Sequence, residues 1–233
     1  RDSVASRGLG DVYKRQTHGI GYGIAEAFAK KGAKIVINSH KKDNGALDKL
    51  SQLTECYFVQ SDLSTIDGNK KLIEEANTKL GKIDTLINNA GTFQDTDFES
   101  INEENFNKTF NLNVRGYMFT SQEFVKHLSK NQNNTSIICI GSSNSLAAEK
   151  NSVMYDTSKG AVLMMIKSMA ISLASKNIRV NAVCPVLIAT EGLNKALNMD
   201  HAPGKGNPAE FIANFTKSNS ALLRMPTLSL IHI

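Results

Sequence analysis

The chain has no tryptophan, and only four prolines and three cysteines occur among its 233 residues. Aromatic residues make up 6% of the chain, so few side chains are available to stack on nucleic-acid bases. Cys56, Cys139 and Cys184 lie far apart in apolar runs, which predicts buried free thiols in a reducing compartment. No C-x-x-C or H-E-x-x-H spacing is present, so no metal site is expected.

Long apolar runs are also missing, because none approaches the roughly 20 residues that a membrane-spanning helix needs. The 27 Lys and Arg against 22 Asp and Glu give a net charge of +5, and the basic residues are scattered instead of grouped in blocks. We therefore expect no nucleic-acid partner, no membrane partner and a cytoplasmic location. With 41% hydrophobic residues, the length predicts one domain with a substantial core.

The two ends of the chain lack the patterning of its middle. Residues 1–16, RDSVASRGLGDVYKRQ, show neither helical nor strand periodicity, and we interpret them as a non-native extension. Residues 226–233, PTLSLIHI, are interpreted as a non-native tail of the same kind. The alternative, a first strand over residues 11–16, would place Lys14 and Arg15 in the centre of a sheet, where an unpaired charge costs several kcal/mol. The domain is therefore assigned to residues 17–225.

Between these ends, short β-branched runs alternate with longer amphipathic segments. The predicted strands are 34–38, 56–60, 83–87, 136–140 and 178–183. The predicted helices are 19–31, 44–53, 64–81, 103–128 and 152–175. Ser64 followed by Asp67 indicates a capping box for the third helix. Strands that are buried on both faces and separated by helices predict an α/β fold, a doubly wound parallel sheet with helices on both faces.

In such a sheet a ligand binds beyond the carboxyl ends of the strands, and two short glycine motifs are predicted to lie there. Gly19-Ile20-Gly21 opens a helix, whose backbone N–H groups and dipole can bind a pyrophosphate. Glycines at a helix start are also ordinary turn residues. Asn88-Asn89-Ala90-Gly91 follows a buried strand, where amide and small side chains can bind a cofactor edge and join neighbouring strands, or simply form a loop.

Tyr155 and Lys159 stand four residues apart on a predicted helix, which places them on one face. Lowering a phenol pKa from about 10 to near 7 requires roughly 4 kcal/mol. A unit charge at about 4 Å supplies about 4 kcal/mol at an effective dielectric constant near 20. The lysine can thus make Tyr155 an acid/base at neutral pH. The alternative is a surface tyrosine beside a solvated lysine.

Six strings of the chain occur together in a familiar order and spacing. They are GIGYGIAEAFAKKGAKIVI, SDLS, NNAG, NLNVRG, IGSSNSLAAEKNSVMYDTSKGAV and NIRVNAVCPVLIAT. Over residues 17–225 the chain resembles the short-chain dehydrogenase/reductase family. The resemblance implies a single Rossmann-type domain and an NAD(P)(H)-dependent oxidoreductase that interconverts a secondary alcohol and a ketone. The resemblance leaves two activities open, a 3-oxoacyl reductase and a sugar or polyol dehydrogenase. It also leaves open whether the protein is a homotetramer or a homodimer.

The resemblance also assigns catalytic roles. Tyr155 gives or takes the hydroxyl proton, and Ser142, thirteen residues earlier, binds the carbonyl oxygen, with Ser143 as the neighbouring alternative. Lys159 holds the ribose and lowers the pKa of the phenol, and Asn113 positions a water that relays the proton.

A larger set is implied to bind the cofactor. Asp62 would accept a hydrogen bond from the adenine amino group, and Thr190 would hold the carboxamide. The implied set is Gly19, Ile20, Gly21, Ser39, His40, Asp62, Leu63, Asn89, Ala90, Gly91, Tyr155, Lys159, Pro185, Ile188 and Thr190.

Cofactor preference depends on the residues after the second predicted strand. An acidic residue there binds the ribose 2′-OH and repels a 2′-phosphate. The chain instead has Ser39, His40, Lys41 and Lys42, with no carboxylate before Asp43. NADP(H) is therefore favoured over NAD(H), the alternative being that the lysines only solvate a loop.

The chain departs from the family at three places. The first strand and leading phosphate-loop glycine are missing or replaced, with Arg15 at the glycine position. Val186 stands where the family usually has glycine, and the chain stops before the last family strand. We therefore expect the chain as it stands to be poorly stable and weakly active or inactive. A rival hypothesis is a non-catalytic dinucleotide-binding protein on the same fold; the complete set Asn113, Ser142, Tyr155 and Lys159 argues against it.

Overall fold

A computed structural model describes residues 3–6, 19–43, 45–129, 134–186 and 207–219. The strands are β1 (Ser3–Ser6), β2 (Lys34–Ser39), β3 (Cys56–Gln60), β4 (Thr85–Asn88), β5 (Thr135–Ile140) and β6 (Ile178–Val183). They form one sheet in the order β3-β2-β1-β4-β5-β6, and every pairing is parallel. The predicted parallel α/β sheet is confirmed.

Helices connect the strands. They are α1 (Ile20–Lys30), α2 (Ala46–Ser51), α3 (Ile66–Leu80), α4 (Glu103–Phe110), α5 (Gly116–Lys126), α6 (Val153–Leu173) and α7 (Pro208–Asn219). α1 is followed by Gly32 at a φ of 82°, a left-handed conformation that glycine adopts without strain. Within the described ranges, no helix combines the length and the apolar character needed to cross a membrane.

The core lies on both faces of the sheet, because successive strand side chains point to opposite sides. On one face, Val36 and Leu86 belong to a cluster that includes Leu72 of α3, Phe124 of α5 and Val162 of α6. On the other face, strand residues pack with α1 and α2 in two smaller clusters. The predicted covering of both sheet faces is therefore confirmed.

Strand β1 corrects one expectation. We predicted that no strand would come from residues 1–16, yet Ser3–Ser6 pairs with β2 on one side and with β4 on the other. A strand of four residues between serines carries almost no periodic signal, and its pairing is a tertiary property. Whether residues 1–16 are native stays a prediction. The missing first strand was one reason to expect low stability, and the pairing of Ser3–Ser6 removes that reason.

One predicted helix, one predicted helix cap and two of the three cysteines also differ from expectation. The predicted helix over 103–128 is interrupted by a π-helical turn at Asn111–Arg115. The N-cap of α3 is Thr65, whose side chain accepts from the backbone N–H of Gly68, so the predicted capping box at Ser64 is wrong. All three cysteines are free, but only Cys139 is buried as predicted; Cys56 is half-buried and Cys184 is exposed.

The sheet order places a crevice beside β1. Along the chain, strands are added on one side of β1 up to β3 and on its other side from β4 onward. Connections that diverge in this way leave a gap at the carboxyl ends of β1 and β4, where open α/β sheets bind their ligands. The loops after β4 and β5 and the start of α6 supply the side chains described next.

Candidate active site

The loop after β4 is held in place by two buried amides. Asn88 donates from Nδ2 to Ser121 Oγ (2.9 Å) and to Cys139 Sγ (3.3 Å), so it links β4 to α5 and β5. Asn89 and Ala90 continue the loop, and Ala90 is buried. The predicted tie between neighbouring strands is therefore present.

Asn113 lies in the π-helical turn and is completely buried. Its Nδ2 donates to Thr92 O (2.9 Å) and to Ser158 Oγ (3.0 Å), while its Oδ1 accepts from Thr92 N (2.8 Å). Both side-chain N–H donors are thus taken by protein acceptors. The side chain clamps the loop after β4 to α6, and its proposed role in positioning a water stays a prediction.

Gly91 brings the backbone close to two of the predicted catalytic groups. A Cβ at this position would lie 3.4 Å from Asn113 Oδ1 and 3.8 Å from Lys159 Nζ. The backbone of the loop after β4 therefore lies close to the side chains of Asn113 and Lys159 at Gly91.

We expect Asn113→Ala to lower the free energy of unfolding by about 3 kcal/mol, because it leaves the buried amide N–H of Thr92 without its acceptor. Chemical denaturation measures the change. Asn107→Ala, an exposed position on α4, is the matched control and is expected to change stability by less than about 0.5 kcal/mol. Equal stabilities of the two variants would contradict the clamp.

Tyr155, Lys159 and Ser142 meet where β5 ends and α6 begins. Tyr155 is in the first turn of α6, and the Lys159 ammonium lies 5.7 Å from the centre of its ring. Ser142 is buried beyond the end of β5, and its hydroxyl lies near enough to the Tyr155 phenol to influence the pKa of that phenol. Phe93 packs edge-on against the Tyr155 ring at 5.2 Å between centroids. The structure thus brings together three of the predicted catalytic residues, with Asn113 one hydrogen bond away through Ser158.

The pKa values differ from the expected pattern. Burial is the largest influence on Tyr155 and raises the pKa of the phenol; the neighbouring Ser142 hydroxyl lowers it, and the charges of Asp156 and Glu149 raise it. The expected lowering by Lys159 is therefore not found in this structure. The sequence shows that a lysine stands one helical turn from the phenol, but it does not show how far the fold removes that phenol from water.

Lys159 is itself buried, and its ammonium donates to the backbone carbonyl of Ile140 at 2.8 Å. Burial lowers the pKa of Lys159 to about 8, although the nearby thiols of Cys139 and Cys184 act in the opposite direction. A lysine with such a pKa changes its charge close to neutral pH, which suits a group next to a proton-transferring phenol.

The remaining predicted cofactor residues lie at neighbouring strand ends. Gly19 is the N-cap of α1, Ile20 and Gly21 open this helix, and its first turn contains no acidic residue. Beyond β3, Asp62 is exposed and accepts from Ser64 at its backbone N–H (2.9 Å) and its hydroxyl (2.8 Å). The next residue, Leu63, is buried.

Ser39 is the last residue of β2, and His40 comes directly after it. The Ser39 hydroxyl accepts from Lys41 N at 3.1 Å, and the His40 carbonyl accepts from Gln60 Nε2 at 3.1 Å. The carboxylate of Asp43 accepts from the backbone N–H groups of Gly45 and Leu47, at 3.0 and 3.3 Å, and so caps the start of α2.

Pro185 connects the strand ends nearest to Ser142. Its carbonyl accepts from Ser143 N at 2.9 Å, just as the carbonyl of Val183 accepts from Gly141 N at 2.8 Å. Ile188 and Thr190, the other two predicted cofactor residues of this segment, lie outside the described residues.

Sequence reasoning missed four residues that organise the site, three through their side chains and Thr92 through its backbone N–H and carbonyl. They are Thr92, Asn144, Asp156 and Ser158. Asp156 and Ser158 lie between Tyr155 and Lys159, so their position in the chain was a usable signal. Asn144 stands two residues after Ser142 and carried the same signal. Thr92 carries none, because only the folded loop places it beside Asn113, 21 residues away. Within the described ranges, no group of three or more His, Cys, Asp or Glu is arranged to hold a metal ion.

Ser142, Tyr155 and Lys159 thus lie together beyond the carboxyl ends of a parallel sheet. The sequence of the chain also matches the model of a known family. The family model "short chain dehydrogenase" matches residues 16–201. The chain belongs to the short-chain dehydrogenase family. Members of this family are oxidoreductases, so the resemblance noted in the sequence is confirmed.

Three relatives illustrate the range of the family. Glucose 1-dehydrogenase 2 of Bacillus subtilis is 31% identical over 179 residues, which cover 74% of this chain and 69% of that protein. The structure of Thermoplasma acidophilum aldohexose dehydrogenase has a TM-score of 0.84 at 26% identity, covering 100% of this chain and 86% of that one. A 3-oxoacyl-[acyl-carrier protein] reductase from Brucella melitensis, in complex with NAD, has a TM-score of 0.83 at 26% identity, covering 98% and 86%.

Proposed function

We propose that this short-chain dehydrogenase uses NAD(P)(H) to interconvert a secondary alcohol and a ketone. The observation that carries the proposal is the placement of Ser142 beside the half-buried Tyr155 phenol, with the Lys159 ammonium 5.7 Å from the centre of the same ring. A proton donor, a second hydroxyl and a cation at one strand end are the groups that carbonyl reduction requires.

The described residues fit a dinucleotide. The N-terminus of α1 offers backbone N–H groups behind side-chain-free Gly19 and Gly21, a suitable site for a pyrophosphate. Gly91 lies next to Lys159, and we assign the ribose and nicotinamide to this part of the crevice. A bound nicotinamide supplies or accepts the hydride.

The proposed reaction gives each of these side chains a role. In reduction, the Ser142 hydroxyl hydrogen-bonds the substrate carbonyl oxygen, and the Tyr155 O–H bond breaks as its proton moves to that oxygen. The carbonyl carbon gains the hydride and becomes the carbon of a secondary alcohol. Lys159 stabilises the phenolate that remains, and in oxidation each transfer runs in reverse.

The direct test is an assay of the full chain. NADPH and NADH oxidation is measured with 3-oxoacyl thioesters and simple ketones, and NADP⁺ and NAD⁺ reduction with aldohexoses and polyols. We expect turnover in at least one of these classes. Tight cofactor binding with no turnover across all of them would favour a non-catalytic dinucleotide-binding protein instead.

Within this function, we propose a preference for NADP(H). The support is local: β2 ends at Ser39, His40 and the exposed Lys41 and Lys42 follow, and the first carboxylate, Asp43, is occupied in capping α2. A 2′-phosphate at this edge therefore meets cations and no neighbouring free carboxylate.

We expect the chain to bind NADPH about tenfold more tightly than NADH, and Ser39→Asp to reverse this order. The added carboxylate repels the 2′-phosphate and accepts from the 2′-hydroxyl of NADH. Fluorescence titration with both cofactors measures the two Kd values. Ser100→Asp adds the same charge at an exposed position outside the site and is expected to leave the ratio unchanged. Tighter NADH binding by the parent chain would refute the preference.

A further inference from the structure

The carboxylate of Asp156 is tied into the loop that carries Ser142. Its Oδ1 accepts from Asn144 Nδ2 at 2.7 Å, and its Oδ2 accepts from the backbone N–H of Glu149 at 2.8 Å. Asp156 directly follows Tyr155 on α6, so these two bonds connect the helix of the phenol to the loop after β5.

Asn144 passes this connection on to Ser142. Its Oδ1 accepts from the hydroxyls of Ser142 (3.2 Å) and Ser143 (3.3 Å), and its backbone N–H donates to Ser142 Oγ (3.2 Å). An ionised carboxylate only accepts hydrogen bonds, so Asp156 requires the NH₂ group of Asn144 to face it. The amide oxygen is thereby turned toward the two serines.

We propose that Asp156 and Asn144 are positioning residues that set the direction of the Ser142 hydroxyl beside Tyr155. The inference rests on the proposed function, since it concerns the group that binds the substrate oxygen. Neither residue touches the reacting atoms; Asn144 acts through Ser142, and Asp156 acts through Asn144.

The neutrality of Asn144 matters for this role. Ser142 has a single hydroxyl proton, which it gives to Asn144 Oδ1 in the structure and must give to the substrate oxygen during reduction. A neutral amide releases this proton more easily than a carboxylate, because a hydrogen bond to a charged acceptor is about twice as strong. The charge of the pair is therefore placed on Asp156, one residue further from Ser142 in the network.

Exchanging the side chains of Asn144 and Asp156 distinguishes a positioning role from a merely structural one. In the double variant Asn144→Asp with Asp156→Asn, the new amide donates to the new carboxylate and accepts from Glu149 N, so every hydrogen bond of the pair is kept. The carboxylate now faces Ser142. We expect the double variant to melt within a few degrees of the parent chain but to have a kcat about 50-fold lower, with the KM for the cofactor unchanged.

The single variants complete the cycle. Asp156→Asn frees the Asn144 amide to turn and is expected to lower kcat about tenfold. Asn144→Asp sets two carboxylates against each other and is expected to lower both kcat and the melting temperature. Asp48→Asn, an exposed carboxylate on α2, is the control and should leave both unchanged. A double variant with the kcat of the parent chain, or Asp156→Asn within twofold of it, would overturn the proposal.

A measurement without cofactor or substrate distinguishes this inference from the proposed function. The charged or titratable groups around the phenol are Lys159, Asp156 and Glu149. The alkaline absorbance titration of Tyr155, taken as the difference from Tyr155→Phe, should shift to lower pH in Asp156→Asn, because a negative charge that raises the pKa of the phenol is removed. An unchanged titration counts against the positioning pair. If Asp156→Asn shows this shift but the parent chain never turns over, the result counts against the oxidoreductase and not against the positioning pair.

Discussion

Tyr155→Phe is expected to lower kcat about 1000-fold, because the variant has no proton to give to the substrate oxygen. The ring itself remains packed against Phe93, whose centroid lies 5.2 Å away, so the fold should be retained. Steady-state turnover of the best substrate found in the assay, together with a thermal melt, measures both parts of the expectation.

The matched control is Tyr57→Phe, which removes the same hydroxyl from strand β3. That hydroxyl donates to Glu55 at 2.8 Å on the exposed side of the sheet edge, away from Ser142. We expect an unchanged kcat. If Tyr155→Phe and Tyr57→Phe turn over equally well, Tyr155 is not the acid/base.

Lys159→Met is expected to act in opposite directions on activity and on stability. We expect kcat/KM to fall about 100-fold, because the phenolate loses its cationic neighbour. The free energy of unfolding at pH 7 should rise by about 2 kcal/mol. Burying the charged Lys159, whose pKa falls from 10.5 to about 8, costs about 3 kcal/mol at pH 7, and the variant avoids this cost. The variant also loses the hydrogen bond to Ile140, which stabilises the parent chain by about 1 kcal/mol, so the net gain is about 2 kcal/mol. Ile140 O keeps a donor in the Tyr117 hydroxyl.

The pH dependence gives the sign of this effect. The pKa of Lys159 is about 8 in the folded state, against an ordinary value of 10.5. Between these two values the unfolded chain binds more protons, so the stability of the parent chain rises with pH over this window. Below about pH 8 Lys159 is protonated in both the folded and the unfolded chain, so the full cost of burying its charge remains. The difference between the parent and Lys159→Met should therefore shrink as the pH rises from about 8 toward 10.5.

Urea denaturation at several pH values measures this difference. Lys167→Met is the control, since Lys167 is exposed on the same helix, and it should change stability by less than about 0.5 kcal/mol. A Lys159→Met variant that is less stable than the parent chain at pH 7 would show that the buried lysine contributes more through its contacts than its burial costs.

Much of the fold was predictable because its strands are buried on both faces. The predicted ranges 56–60 and 178–183 coincide with β3 and β6, and the helix that begins near residue 152 has the predicted face bearing Tyr155 and Lys159. The interruption at Asn111–Arg115 was not predictable from apolar spacing, because the turn is stabilised by bonds of Asn113 to Thr92 and Ser158, both distant in the chain.

The sequence by itself determined the fold class, the family and the identity of the groups at the site, since periodic burial and motif spacing are properties that can be read along the chain. Only the tertiary structure decided that Ser3–Ser6 completes the centre of the sheet, that Asp156 of α6 is tied to Asn144 in the loop of Ser142, and that burial raises the pKa of Tyr155. Strand pairing, long-range hydrogen bonds and desolvation depend on which distant segments come together, and no local pattern contains that information.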